Sequence, residues 1–158
     1  MNAELRVKDL EEARGKLRSA NAKLERRLIV RDCYFDKSRY IKNEIIRLRN
    51  LSILFPAKST KASLSYEQAP ETYSTSVSDF DAAYGILEKI AGRPFVDIIW
   101  FGETYSLKGA KIELRSIRDG FSYVVAYGND ESVISALKEL SLNATLMEKG
   151  AVNALIKP

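Results

Sequence analysis

The stretch that decides the predicted fold is LEEARGKLRSANAKL, residues 10–24. Apolar or small residues recur in it at alternating steps of three and four, which is the spacing of a coiled-coil interface. The stretch has no proline and is rich in residues that favour helices. It therefore predicts an amphipathic helix that buries one stripe against a partner.

The same helix is expected to extend over residues 1–55, because Gly15 is the only glycine and no proline occurs between Asn2 and Phe55. The spacing of the apolar residues changes after Leu24, as it does at a stutter in a coiled coil. A helix of this length reaches about 80 Å, which is more than a small domain can cover. We therefore expect a homo- or heterodimer through this helix. The predicted interface residues are Leu10, Ala13, Leu17, Ala20, Leu24, Leu28, Phe35, Ile41, Ile45 and Leu48.

Composition argues against most catalytic chemistry. The chain of 158 residues has no histidine and one cysteine, Cys33. The usual zinc ligands, the usual general base and a Cys-His dyad are therefore missing. No phosphate-binding glycine motif is present. We accordingly predict no catalytic residue, no cofactor and no metal site.

The charge distribution leaves a nucleic-acid partner as an alternative. Residues 1–55 hold fourteen Lys or Arg and eight Asp or Glu, and the whole chain has a net charge of +4. A basic helix can follow a phosphate backbone. Here the basic residues are interleaved with acidic ones, which favours a solvated coiled-coil face over nucleic acid.

The remainder of the chain is predicted to form a linker and a small domain. Pro56 ends the helix, and residues 56–77 are a polar linker rich in Ser and Thr, with a possible edge strand at 62–66. Residues 78–158 alternate between helical and strand patterns. Asp119-Gly120 between two alternating runs indicates a hairpin. One helix is predicted to begin at Ser78 and to stop at Gly92, and a second to follow the cap at Gly128-Asn129-Asp130 and include Val133 to Leu140. Two short strands are expected at 144–148 and 151–156.

This order predicts an α+β fold: the long coiled-coil helix followed by a ferredoxin-like domain of two α-β-β units. Its antiparallel sheet would carry two helices on one face. An RWD-like domain is the second choice.

Two segments carry a family resemblance. ILEKIAGRPFVDIIWF (residues 86–101) and AKIELRSIRDGFSYVVAYGNDESVISALKEL (residues 110–140) resemble PilN/PilO proteins of type IV pili and GspL/GspM periplasmic domains of type II secretion. The resemblance implies a non-enzymatic dimeric scaffold that binds other assembly-platform proteins and no small-molecule substrate. It also implies the periplasmic side of the inner membrane, with the membrane contacted only through a segment outside this sequence.

Three other functions remain open at this stage. If Met1 is the natural start, a cytoplasmic or nuclear coiled-coil adaptor of the kinetochore-scaffold type fits the same pattern. A nucleic-acid binder using the basic helix is the next alternative, and an enzyme is the last.

Overall fold

The computed structural model describes residues 1–156, and its central feature is one sheet of nine antiparallel strands. The spatial order of the strands is β5-β4-β3-β2-β6-β7-β8-β1-β9. The strands are β1 (Asn2–Val7), β2 (Lys23–Phe35), β3 (Ile45–Phe55), β4 (Ser59–Gln68), β5 (Glu71–Val77), β6 (Val96–Leu107), β7 (Ala110–Ile117), β8 (Ser122–Tyr127) and β9 (Ala144–Leu146).

Five short helices connect or cover the strands. They are α1 (Glu11–Ser19), α2 (Lys37–Ile41), α3 (Phe80–Ala91), α4 (Asp130–Leu140) and α5 (Gly150–Ile156). No helix among the described residues has the length and apolar character needed to cross a membrane.

Strand β2 shows why the sheet forms. From Leu28 to Phe35 the sequence is rich in β-branched and aromatic residues, which favour strands. Leu28 and Val30 are buried on one face, and Cys33 and Phe35 are buried on the other. A strand that buries both faces must lie inside a sheet, and β2 pairs with β3 on one side and β6 on the other.

Two apolar clusters cover the outer face of the sheet. Helices α1 and α4 pack on the half formed by β6, β7, β8 and β1 through Leu17, Val133 and Leu140. Helix α3 packs on the other half through Leu87, against Phe35. Asp79 and Asn129 cap α3 and α4 by accepting backbone N–H groups of Ala82 and Ser132.

The inner face of the sheet is different, because α5 is the helix that packs against it. Ala151 is buried there together with Trp100 and Tyr123, and Leu155 packs against the same cluster. The next residues outward on this face are polar, so the sheet and α5 enclose a partly charged interior.

The first part of the predicted fold, a coiled-coil helix over residues 1–55, is therefore wrong. No coiled-coil helix runs through residues 1–55: α1 ends at Ser19, Asn21 has a left-handed backbone with φ 57°, and β2 follows. The linker residues form β4 and β5. The sheet therefore runs across the expected boundaries at 55 and 77.

The predicted ferredoxin-like domain is also wrong, although several of its elements are present. Strands β6 to β8 and helices α3 and α4 lie where alternation and periodicity place them. The sheet is not completed within residues 78–156, because β6 pairs with β2 and β8 pairs with β1. The expected strand at 151–156 is helix α5.

Candidate functional site

The inner face of the sheet encloses a cavity of about 370 Å³, which we call the cup. Strands from both ends of the sheet and helix α5 contribute to its lining. The residues that line it are Asn2, Glu4, Asp32, Tyr34, Arg47, Arg49, Glu67, Ile98, Trp100, Arg115, Tyr123, Val125, Ala151, Val152 and Leu155.

Strand periodicity explains how three arginines reach the cup. Side chains alternate between the faces of a strand, so Arg47 and Arg49 of β3 point the same way. Their partners in register, Tyr34 and Asp32 of β2, line the same cavity. Arg115 enters from β7 beside Tyr123 of β8.

Arg49 is fixed by a buried ion pair with Asp32. Arg49 donates to the two carboxylate oxygens of Asp32 over 2.6 and 2.8 Å, and Trp100 Nε1 donates to Oδ2 over 3.0 Å. Asp32 is only 2% exposed. Such a carboxylate is stable in the interior because its oxygens receive charged and neutral donors.

The guanidinium carbon of Arg49 lies 5.9 Å from the centre of the Trp100 ring, and Arg115 is held against the same ring. Its guanidinium carbon lies 4.2 Å from the centre of the Trp100 ring, and Nη1 donates to the Tyr123 hydroxyl over 3.2 Å. Its Nε donates to Glu113, which also accepts from Thr104 over 2.9 Å. Burial raises the pKa of Tyr123 above its ordinary value. The phenol therefore stays protonated near neutral pH and its own proton is available to an acceptor in the cup.

Arg47 differs from the other two arginines because its Nε is buried and has no hydrogen-bond partner among the described residues. The same is true of Oγ of Ser65, the residue opposite Arg47 in register on β4. Leaving a buried charged donor unpaired is costly, and such groups are rare in folded proteins. An acceptor supplied by a ligand would satisfy Arg47.

The acidic residues of the cup do not fit a resident metal ion. Within residues 1–156 no group of three or more His, Cys, Asp or Glu side chains is placed to hold one. Asp32 is occupied by Arg49 and Trp100. Glu4 accepts the backbone N–H of Ala151 over 2.6 Å and so anchors α5.

Glu67 is the acidic residue of the cup that lies nearest, in the pairing of β3 with β4, to Arg47 and Ser65, whose buried polar atoms have no partner among the residues that the structure describes. It lines the cavity from β4, two residues from Ser65 on the same face of the strand. A carboxylate beside a cationic ligand site is a candidate general base.

Comparison with known structures shows the fold. At a TM-score of 0.80 and 16% identity, 99% of this chain matches 95% of the PH1819 protein of Pyrococcus horikoshii OT3. A Vibrio parahaemolyticus protein proposed to be an adenylate cyclase matches at a TM-score of 0.70 and 13% identity, over 99% of this chain and 97% of that one. No protein-family model and no curated protein sequence matches the chain.

A third structure adds a measured activity. A Hippeastrum protein, proposed to be an adenylyl cyclase and described as having a dominant triphosphatase activity, matches at a TM-score of 0.65 and 15% identity. The match covers 98% of this chain and 93% of that one. At these identities the likeness shows a shared fold.

These findings overturn the resemblance to pilus and secretion proteins. The structures that match almost the whole chain are not described as pilus or secretion proteins, and residues 1–55 form β1, α1, β2, α2 and β3 in place of the expected coiled coil. The inference of a non-enzymatic scaffold is contradicted as well, because it depended on that resemblance and because one protein of the same fold is described as having a triphosphatase activity. The expected partners and periplasmic location are not tested and stay predictions.

The structure distributes the ten predicted interface residues over several places instead of one helix face. Leu28 lies inside the sheet near the cup. Ile41 and Ile45 line a second cavity at the edge of the cup. The others are in the outer apolar clusters: Leu10, Ala13, Leu17, Ala20 and Leu24 under α1 and α4, and Phe35 and Leu48 under α3.

The residues of the cup were missed because they do not form a local motif. A signal was present in Arg47-Leu48-Arg49, where charged residues alternate with a buried one. Such alternation is typical of a strand with one apolar and one charged face. Within the predicted helix, the same arginines were interpreted as solvent-exposed charges.

Proposed function

We propose that this protein binds the phosphate chain of a triphosphate compound in the cup and hydrolyses its terminal phosphoanhydride bond. The observation that carries the proposal is the buried, unpaired Nε of Arg47 in a cavity that Arg49 and Arg115 also line. The fold shared with a protein described as having triphosphatase activity supports it.

The cup is lined by three arginines and three carboxylates, and two of the carboxylates are already engaged: Asp32 by Arg49 and Glu4 by the backbone of α5. The arginines are the groups that suit a phosphate chain. Guanidinium groups bind phosphate oxygens through paired, charge-assisted hydrogen bonds. Arg47 and Arg49 come from β3 and Arg115 comes from β7, so a chain in the cup can contact arginines of two strands. Tyr123 adds a neutral donor.

The proposed reaction uses Glu67 as the general base. A water oxygen attacks the terminal phosphorus while Glu67 accepts the water proton. The bond between that phosphorus and the bridging oxygen breaks, and the products from tripolyphosphate are orthophosphate and diphosphate. Fixed arginine charges stabilise the negative charge that develops in the transition state.

Binding is tested by titrating inorganic tripolyphosphate into the wild type, Arg47→Gln and Arg93→Gln. Arg93 is a matched control because its side chain is 89% exposed. We expect Arg47→Gln to weaken the affinity about 10- to 100-fold, the usual effect of removing a charged hydrogen bond. Arg93→Gln should bind as the wild type does. Equal affinities of the two variants, or no binding by the wild type, would refute the proposed site.

Hydrolysis is tested by measuring orthophosphate and diphosphate released from tripolyphosphate and from ATP. Glu67→Gln should lower the turnover rate by about 100-fold or more, as expected for loss of a general base, and leave the affinity nearly unchanged. Turnover by Glu67→Gln at the wild-type rate would exclude Glu67 as the base. Release of diphosphate alone from ATP would contradict terminal hydrolysis.

A further inference from the structure

A second cavity, of about 510 Å³, opens beside the cup between α2, the start of β3 and α5. Its apolar lining includes one aromatic ring and three isoleucines, and its polar lining includes two amides and two lysines. The residues are Lys37, Tyr40, Ile41, Asn43, Ile45, Lys149, Asn153 and Ile156. We call it the side pocket.

The side pocket adjoins the cup at three points. Ile45 precedes Arg47 by two residues on the same face of β3 and lies opposite Glu67 in register. On α5, Val152 lines the cup and the next residue, Asn153, lines the side pocket. The side pocket therefore lies next to the part of the cup that Arg47 and Glu67 line.

Aromatic packing connects the two cavities as well. Tyr34 lines the cup, and its ring centre lies 6.4 Å from that of Tyr40 in the side pocket. Phe95 supports both rings, at 6.4 Å from Tyr34 and 5.3 Å from Tyr40. Tyr40 is thereby held as a fixed surface for a flat group.

The lining suits a heteroaromatic ring better than further phosphates. Tyr40, Ile41 and Ile45 present an aromatic face and aliphatic groups, which favour stacking and apolar contact. Asn43 offers both an amide donor and an acceptor, the pair that reads the edge of an adenine-like ring. Nδ2 of Asn153 donates to the Lys149 carbonyl over 2.6 Å, which leaves its Oδ1 as an acceptor.

Hydrogen bonds and an ion pair connect the segment that carries Tyr40 to its neighbours. Asp36 caps α2 by accepting the backbone N–H of Arg39 over 3.2 Å, and Arg39 pairs with Glu44 over 3.3 Å. Glu44 also accepts from the Tyr66 hydroxyl over 3.0 Å, which ties the end of the loop to β4. A pocket with fixed walls loses little entropy on binding.

We infer that the side pocket binds the heteroaromatic base of a nucleoside triphosphate whose phosphates lie in the cup. This inference rests on the proposed function and makes it more specific: the preferred ligand is a nucleoside triphosphate, and inorganic tripolyphosphate uses the cup alone. Tyr40 stacks on the base, and Asn43 and Asn153 contact its edge.

The test compares the affinities of ATP and inorganic tripolyphosphate for the wild type, Tyr40→Ala, Tyr40→Phe and Tyr73→Ala. Tyr40→Ala should weaken ATP about tenfold, the usual effect of losing one stacking partner, and leave tripolyphosphate unchanged. Tyr40→Phe keeps the ring and should retain ATP affinity. Tyr73, an exposed tyrosine on the outer face of β5, is the control and should change neither.

A second variant distinguishes weaker binding from loss of folding. The side chain of Ile41 is 70% exposed, so Ile41→Ser leaves the core intact and should still weaken ATP selectively. Thermal unfolding of each variant reports its fold. Equal weakening of both ligands, or no change for ATP in Tyr40→Ala and Ile41→Ser, would overturn the side-pocket inference and leave the cup in place. If the wild type binds neither ligand, the proposed function itself fails.

Discussion

Asp97, a partly exposed residue of β6, connects three elements. It is the one charged residue in the apolar run Phe95–Phe101. It accepts from Arg31 over 3.0 and 2.8 Å and is partly buried. Arg31 also lies 5.1 Å from the ring centre of Phe80 on α3. The pair therefore joins β2, β6 and α3.

The Asp97 pair predicts a pH-dependent contribution to stability. Hydrogen bonding by Arg31 holds the pKa of Asp97 below its ordinary value of 3.8. The folded state thus favours the ionised form, so the contribution is present above that value and is lost as the pH falls through the lower folded-state pKa. Asp97→Asn should cost about 1 kcal/mol at pH 7, since the pair is partly exposed.

Urea unfolding at pH 7 and at about pH 2.5 checks this prediction. The difference between the wild type and Asp97→Asn should shrink at the acidic pH. Glu148→Gln removes an exposed carboxylate and serves as the control. A difference that stays constant between the two pH values would show that the ion pair contributes nothing.

At the scale of elements, α1 shows where the coiled-coil pattern was correct and where it failed. The helical spacing of Ala13 and Leu17 is real over Glu11–Ser19, and both side chains are buried. Their partners are helix α4 and the outer face of the sheet, both in the same chain. The helix stops where Asn21 turns left-handed and Lys23 begins to pair with Ser106.

Leu17 therefore stabilises the fold within one chain. Leu17→Ala removes a fully buried side chain and should lower the free energy of unfolding by about 2–5 kcal/mol. Ile90→Ala, at a position 75% exposed on α3, should change it by less than about 0.5 kcal/mol. Denaturant unfolding at several protein concentrations provides the measurement.

The dependence of the unfolding midpoint on protein concentration distinguishes packing of Leu17 within one chain from packing between chains. If Leu17 packs inside the chain, the unfolding midpoint of Leu17→Ala is independent of concentration. A midpoint that rises with protein concentration would indicate an interface between chains, as the coiled-coil interpretation required.

At the scale of the whole molecule, the cup depends on pairings between distant parts of the chain. β1 inserts between β8 and β9, with Asn2 opposite Tyr127. This pairing places Glu4 near the C-terminal helix α5, which it anchors. Arg47 and Arg115 come from different halves of the sheet, and curvature of the sheet brings them to one cavity.

The sequence alone determined the features that depend on neighbours along the chain. The cap before α4, the turn at Asp119-Gly120 and the alternation in β6 and β7 are local patterns, and the elements are present there. Helix α3 is present as well, but its N-cap is Asp79 and not Ser78, where the sequence pattern placed the start of the helix. The chemistry of such patterns acts over a few residues, so a short window of sequence contains it.

Only the tertiary structure decided which strands pair and which side chains meet. Residues 23–55 carry both helical spacing and strand-forming residues, and pairing with β6 and β4 selects the strands. Strand pairing is non-local, so its free energy is absent from any short stretch. The cup follows from it: Arg47, Glu67 and Arg115 become neighbours of one cavity because the sheet order and its curvature bring them there.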